Sequence, residues 1–104
     1  MAHTPFSYEL SPEADNDFSE IYDYTVEQFG SSQAVKYLNG FEELFVKLCS
    51  NPEIGRKRNE IRKGLRSISK ESHIVFYRIM EGRIRIVRVL HASRDIVKFL
   101  PPKD

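Results

Sequence analysis

Cysteine is almost absent: Cys49 alone among 104 residues, so no disulfide can form within the chain. This favours a reducing, cytoplasmic setting. The N-terminal MAHTPFSYEL has neither the basic start nor the apolar run of a secretion signal. No apolar stretch approaches the roughly 20 residues that span a bilayer. The three histidines, His3, His73 and His91, stand far apart in the chain, and Cys49 has no second thiol or nearby histidine. Zinc-type ligand spacing is therefore missing, and no metal or other cofactor is expected. The glycines of GRKRNEIRKG do not follow a phosphate-loop pattern, and no nucleophile elbow occurs, so no catalytic residue is assigned.

What is present is ordinary globular material, 40% hydrophobic and 30% charged. A chain of 104 residues is expected to form one domain spanning residues 1–104, large enough to bury a core without disulfides or metal. The net charge of +1 conceals a division. Residues 1–50 hold nine acidic and two basic residues, a net of −7, whereas residues 51–104 hold fourteen basic and six acidic ones, a net of +8. Such asymmetry suits a polyanionic partner, nucleic acid or an acidic protein segment, and also suits attraction between the halves of the fold. The basic charge is densest in GRKRNEIRKGLRSI, residues 55–68, where six of seven charges are positive.

Periodicity assigns the elements. Residues 6–10 alternate apolar and polar and read as a strand. Ser11 is a good N-cap and Pro12 suits a first helical turn, so a helix should run to about Phe29, with Ala14, Phe18, Ile21, Thr25 and Phe29 on one face. Gly30 should end it. A second helix should bury Ala34, Tyr37, Leu38, Phe41, Leu44, Phe45 and Leu48, and Asn51-Pro52 should stop it. So short a joint implies an antiparallel helical hairpin. Cys49, on the apolar side, reads as a buried structural thiol. Beyond the basic span the period becomes two: residues 64–69, His73–Met80 and Arg83–His91 read as strands, with a turn at Glu81-Gly82. In the last strand the apolar phase slips between Ile86 and Val87, which marks a bulge or a central strand covered on both faces. The expected fold is α+β: βααβββ, an N-terminal strand and a helical hairpin packed on a mainly antiparallel four-stranded sheet. The outer edge of the second strand should be open to pairing.

Arginine outweighs lysine in the basic half, and guanidinium groups suit bidentate contacts with phosphates and carboxylates. Arg56, Arg58, Arg62, Arg66, Arg78, Arg83, Arg85 and Arg88, with His91, are the candidate partner-binding residues. For any one arginine the competing reading is a solvated face or an internal ion pair. His73 and His91 could do acid–base work, but each fits a hydrogen-bonded sheet residue better.

The stretches LSPEADNDFSEIYDYTVEQFG, QAVKYLNGFEELFVKLCSNPEIGRKRNEIRKGLRSI, SHIVFYRI and IRIVRVLHASRD resemble the ParE toxins of the RelE/ParE superfamily, from about Tyr8 to Asp95. The most specific pieces are NP-x-x-G-R at Asn51, IR-x-GLR at Ile61, H-x-x-FYR at His73 and RVLH-x-x-x-D at Arg88. The resemblance implies the same βααβββ layout, a partner antitoxin that wraps and neutralises the toxin in a hetero-oligomer, and DNA gyrase, with gyrase-bound DNA, as the target. RelE relatives instead cut messenger RNA on the ribosome, commonly with a C-terminal Tyr or His. ASRDIVKFLPPKD, after His91, has neither. The resemblance therefore favours a gyrase poison over an mRNA endonuclease, with an inactive antitoxin-binding relative as a third reading.

Overall fold

The computed structural model describes residues 7–100. Strand β1 (Ser7–Leu10) leads into α1 (Pro12–Phe29) and α2 (Ser31–Ser50). A 3-10 turn at Pro52–Ile54 follows, then β2 (Arg56–Lys57), β3 (Leu65–Lys70), β4 (His73–Met80), β5 (Arg83–His91) and a short α3 (Ile96–Phe99). Position 6 of the expected first strand lies outside the described residues. The sheet runs β1-β5-β4-β3-β2, with β1 parallel to β5 and every other pair antiparallel. The α+β layout is as expected, with one correction: the sheet has five strands rather than four. The extra strand lies inside the basic span, where Arg56 pairs with Ser67 and Lys57 with Arg66. Two residues carry no periodicity, and β2 covers part of the β3 edge expected to be open.

The helices form where the caps predict. Ser11 Oγ accepts the Ala14 N–H at 2.9 Å and donates to Val87 O at 2.7 Å, so one hydroxyl caps α1 and ties it to β5. Gly30, at φ +93°, is the entire joint between the helices, a backbone conformation that glycine adopts without strain. The hairpin lays Ala14, Ile21, Phe41, Phe45, Leu48 and Cys49 on one sheet face, against Val75, Tyr77, Ile84, Ile86 and Val89. Phe18, Phe41, Phe45 and Tyr8 interlock there, with adjacent ring centroids 5.2–6.4 Å apart. Full burial of each large side chain contributes about 1.5–3 kcal/mol. Cys49 is a free, buried thiol whose pKa burial pushes up. Phe29 departs from expectation: at 69% exposure it stands in solvent, because α1 ends at the hairpin tip beyond the reach of the sheet.

The phase slip in β5 proves to be both of the things it could mark. Phe76 pairs with Arg88 and Tyr77 with Ile86, so Val87 is the extra residue of a bulge. The opposite sheet face is also covered. Leu65, Phe76, Leu90 and Leu100 form a second core, with Ile61, Ile74, Val87, Ile96 and Phe99 around it. Only part of that face is left to solvent, and this is where the charges collect.

Candidate functional site

Strand β1 stops at Leu10, paired with Ile86, and leaves the rest of the β5 edge unpaired. Helix α1 takes over. Asp17 accepts the Val89 N–H at 2.9 Å and grips Arg88 with both carboxylate oxygens. The Arg88 guanidinium also donates to Phe99 O at 3.3 Å and lies over the Phe99 ring. The hydrogen bonds that Arg88 donates to Asp17 raise its pKa further. Arg88 is thus a strut between α1, β5 and α3.

The turn after α2 is built around Tyr77. Its hydroxyl, fully buried, donates to Pro52 O at 2.7 Å and accepts the Gly55 N–H at 2.8 Å. Burial pushes the phenol pKa up, so the donor stays protonated. A Cβ on Gly55 would stand 2.6 Å from Tyr77 Cε1, so only glycine fits this position. Arg66 clamps the same turn, donating to Gly55 O at 2.8 Å and Glu53 O at 3.2 Å. Arg58 bonds Glu60 at 2.7 Å and Ser67 Oγ at 3.1 Å and lies over the Phe76 ring. Arg56 is exposed on the edge strand, and Arg62 is half-buried in the turn between β2 and β3.

The remaining candidates converge on the sheet face away from the helical hairpin. The registers set Leu65, Arg78, Arg85 and Glu9 in one row across β3, β4, β5 and β1. Arg83 lies beside that row, opposite Met80. Glu9 bonds Arg85 at 2.6 Å and Arg83 at 3.1 Å, and the Arg85 hydrogen bond holds its carboxyl below the usual range. Arg78 faces Arg85 directly, a like-charge pairing that costs stability unless an anion lies over it. Three guanidinium groups stand against one carboxylate here, with Arg83 and Arg85 about 40% exposed, and guanidinium chemistry suits carboxylates and phosphates.

His91 belongs elsewhere, with His73 beside a groove of about 1160 Å³ between α1 and the far end of β4 and β5. The sequence reading missed Glu9, Asp17 and Tyr77. Asp17 did leave a signal, since it falls on the buried stripe of α1 between Ala14 and Ile21. An acid there must be paired.

Two chains illustrate the solved structures that share this fold. One is a chain of the chromosomal ParDE toxin–antitoxin system of P. aeruginosa, with TM-score 0.72 and 24% identity, covering 83% of this chain and 95% of that one. The other is a chain of the RelBE2 toxin–antitoxin complex of Mycobacterium tuberculosis, with TM-score 0.55 and 19% identity, covering 85% and 99%. The α+β fold is therefore that of the RelE/ParE toxins. Sequence narrows the class. Residues 8–96 match the family described as ParE toxin of type II toxin-antitoxin system, parDE. Toxin ParE1 of Mycobacterium tuberculosis is 43% identical over 90 residues, 86% of this chain and 92% of that protein. Toxin ParE1 of Caulobacter vibrioides is 34% identical over 88 residues, 85% and 91% respectively. The chain belongs to the ParE family and is a toxin of a ParDE-type toxin–antitoxin system.

Proposed function

We propose that this toxin inhibits DNA gyrase and so blocks replication, and that a ParD-like antitoxin neutralises it by laying an acidic segment over the row of Arg78, Arg85 and Arg83. The observation that carries the antitoxin surface is the arginine pair across β4 and β5 with Glu9 as its one carboxylate. An acidic segment that folds on binding supplies the missing counter-charge.

The gyrase target rests on family membership and on the separation, among the described residues, of the groups that RNA cleavage would need. Arg66 sits level with Tyr77 and His91 level with His73, four residues along β4 and therefore about 13 Å apart. Arg66 and Arg88 are also both engaged inside the fold. These residues do not meet around a single phosphate, and no Tyr or His follows His91 in the sequence. The reading also places the toxin in the cytoplasm, where gyrase works. No helix among the described residues is long and apolar enough to cross a membrane.

The test is a plasmid supercoiling assay with purified toxin, bacterial gyrase and ATP. Lost supercoiling with accumulation of linear cleaved DNA, reversed by the neighbouring antitoxin, is the expected result. Undiminished supercoiling at excess toxin would overturn the gyrase target.

A further inference from the structure

His73 and His91 are eighteen residues apart in sequence, yet the β4–β5 register sets them directly opposite each other at the end of the hairpin. Their rings meet edge to face, with centroids 5.3 Å apart and planes at 80°. Both line the groove beside α1, so the pair is open to water. Each ring is fixed through Nδ1. His73 Nδ1 bonds the Tyr37 hydroxyl at 2.8 Å, while His91 Nδ1 meets Ser93 Oγ at 2.8 Å and the Ser93 N–H at 3.1 Å. Neither Nε2 has a hydrogen-bond partner among the described residues. Two rings in contact, each anchored by one nitrogen and free at the other, are the components of a chelate.

We propose that His73 and His91 form an open two-histidine site for a divalent transition-metal ion such as zinc, nickel or copper, bound through the Nε2 atom of each. Directly opposed positions on antiparallel strands hold their Cβ atoms about 4.5–5.5 Å apart, close enough for two imidazoles to share one ion at metal–nitrogen bonds of about 2.0–2.1 Å. Imidazole suits these metals. Tyr37 and Ser93 act as the outer partners that metal-binding histidines need. With the ion bound, His73 Nδ1–H donates to the Tyr37 oxygen, and the Tyr37 hydroxyl turns its proton to the water of the groove. His91 Nδ1–H donates to Ser93 Oγ and gives up the longer contact with the Ser93 N–H.

His73 is wedged against Tyr37 and Phe41, which fixes its ring beside that of His91. No group of three His, Cys, Asp or Glu side chains converges among the described residues. Water from the groove fills the other coordination positions, and the ion exchanges readily.

The experiment is isothermal titration of the full, untagged chain with zinc sulfate and with nickel sulfate near neutral pH. The starting protein carries His3→Gln, which removes a competing N-terminal ligand. One ion per chain is expected, with binding weakened at least about tenfold in His91→Gln and in His73→Gln. His91 is exposed, so His91→Gln keeps the fold, which a thermal melt of metal-free protein verifies. Saturating zinc should raise the melting temperature of the starting protein and not that of His91→Gln. No binding at millimolar ion, or equal affinity in His91→Gln, overturns the site.

Discussion

Asp17 and Arg88 lie 71 residues apart and meet as a two-pronged ion pair, Nε to Oδ2 and Nη2 to Oδ1, each at 2.8 Å. The same carboxylate also takes the Val89 N–H, an amide that β1 is too short to reach. One acidic side chain thereby closes a sheet edge, satisfies an arginine in an apolar strand and sets the position of α1. With side chains only 7% and 18% exposed, the pair is shielded from solvent screening.

Removing Asp17 leaves Arg88 and the Val89 amide without their partner in a site that water enters poorly. Loss of one member of a buried pair costs about 3–5 kcal/mol. Asp17→Ala is expected to lower stability by about that amount in urea unfolding. Replacing both residues by apolar ones of similar size should cost less than Asp17→Ala alone. A loss near that of an ordinary surface substitution would show that the pair does not brace the fold.

Tyr77→Phe keeps the ring and removes the hydroxyl that holds Pro52 O and the Gly55 N–H. The two backbone groups are left unsatisfied, at about 1–3 kcal/mol each at most. The melting temperature should fall, and amide exchange at Gly55 should quicken more than in the distant α1. Unchanged exchange at Gly55 would mean that the Arg66 clamp alone fixes the turn.

Stability should depend on pH through His73. Its folded pKa is lowered, first by burial and then by His91, with Asp17 opposing. Glu20 and Tyr24 of α1, Tyr37 of α2, Lys70 and Glu71 at the β3–β4 turn, Arg88 of β5 and Arg94 beyond it also lie around that end of the sheet. The unfolded chain takes up a proton at about the ordinary histidine pKa of 6.5, while the folded chain still resists it. Stability is therefore full above that value and declines as pH falls through it, levelling only below the folded pKa. Denaturant titrations across that range should show the decline, reduced in His73→Gln. A decline of equal size in that variant would assign it to other groups.

Much of this was legible in the sequence because it is local. Ser11, Pro12, Gly30 and Asn51-Pro52 marked both helices, and the phase slip marked the Val87 bulge. The site was less legible because the pairing of distant residues decides each arginine's role. In sequence, Arg66 and Arg85 look alike. In the fold, Arg66 holds the backbone of the Glu53–Gly55 turn, whereas Arg85 stands on an open face beside Glu9. Likewise His73 and His91 are remote along the chain and adjacent across the sheet.

That distinction selects the variant for testing the antitoxin surface. Charge reversal at Arg66 would damage the turn as well as the surface, so its effect on binding would be ambiguous. Arg78→Glu is cleaner. It sets a carboxylate opposite Arg85 and turns a repulsive cross-strand pair into an attractive one, so stability should hold within about 1 kcal/mol. Affinity for the ParD-like antitoxin should nevertheless fall at least about tenfold, a change of roughly 1.4 kcal/mol. Because the contact is between charges at a partly exposed surface, the wild-type complex should also weaken as salt rises, and the variant complex less so. A titration in which Arg78→Glu binds the antitoxin as tightly as wild type, at both low and high salt, would remove this face from the interface.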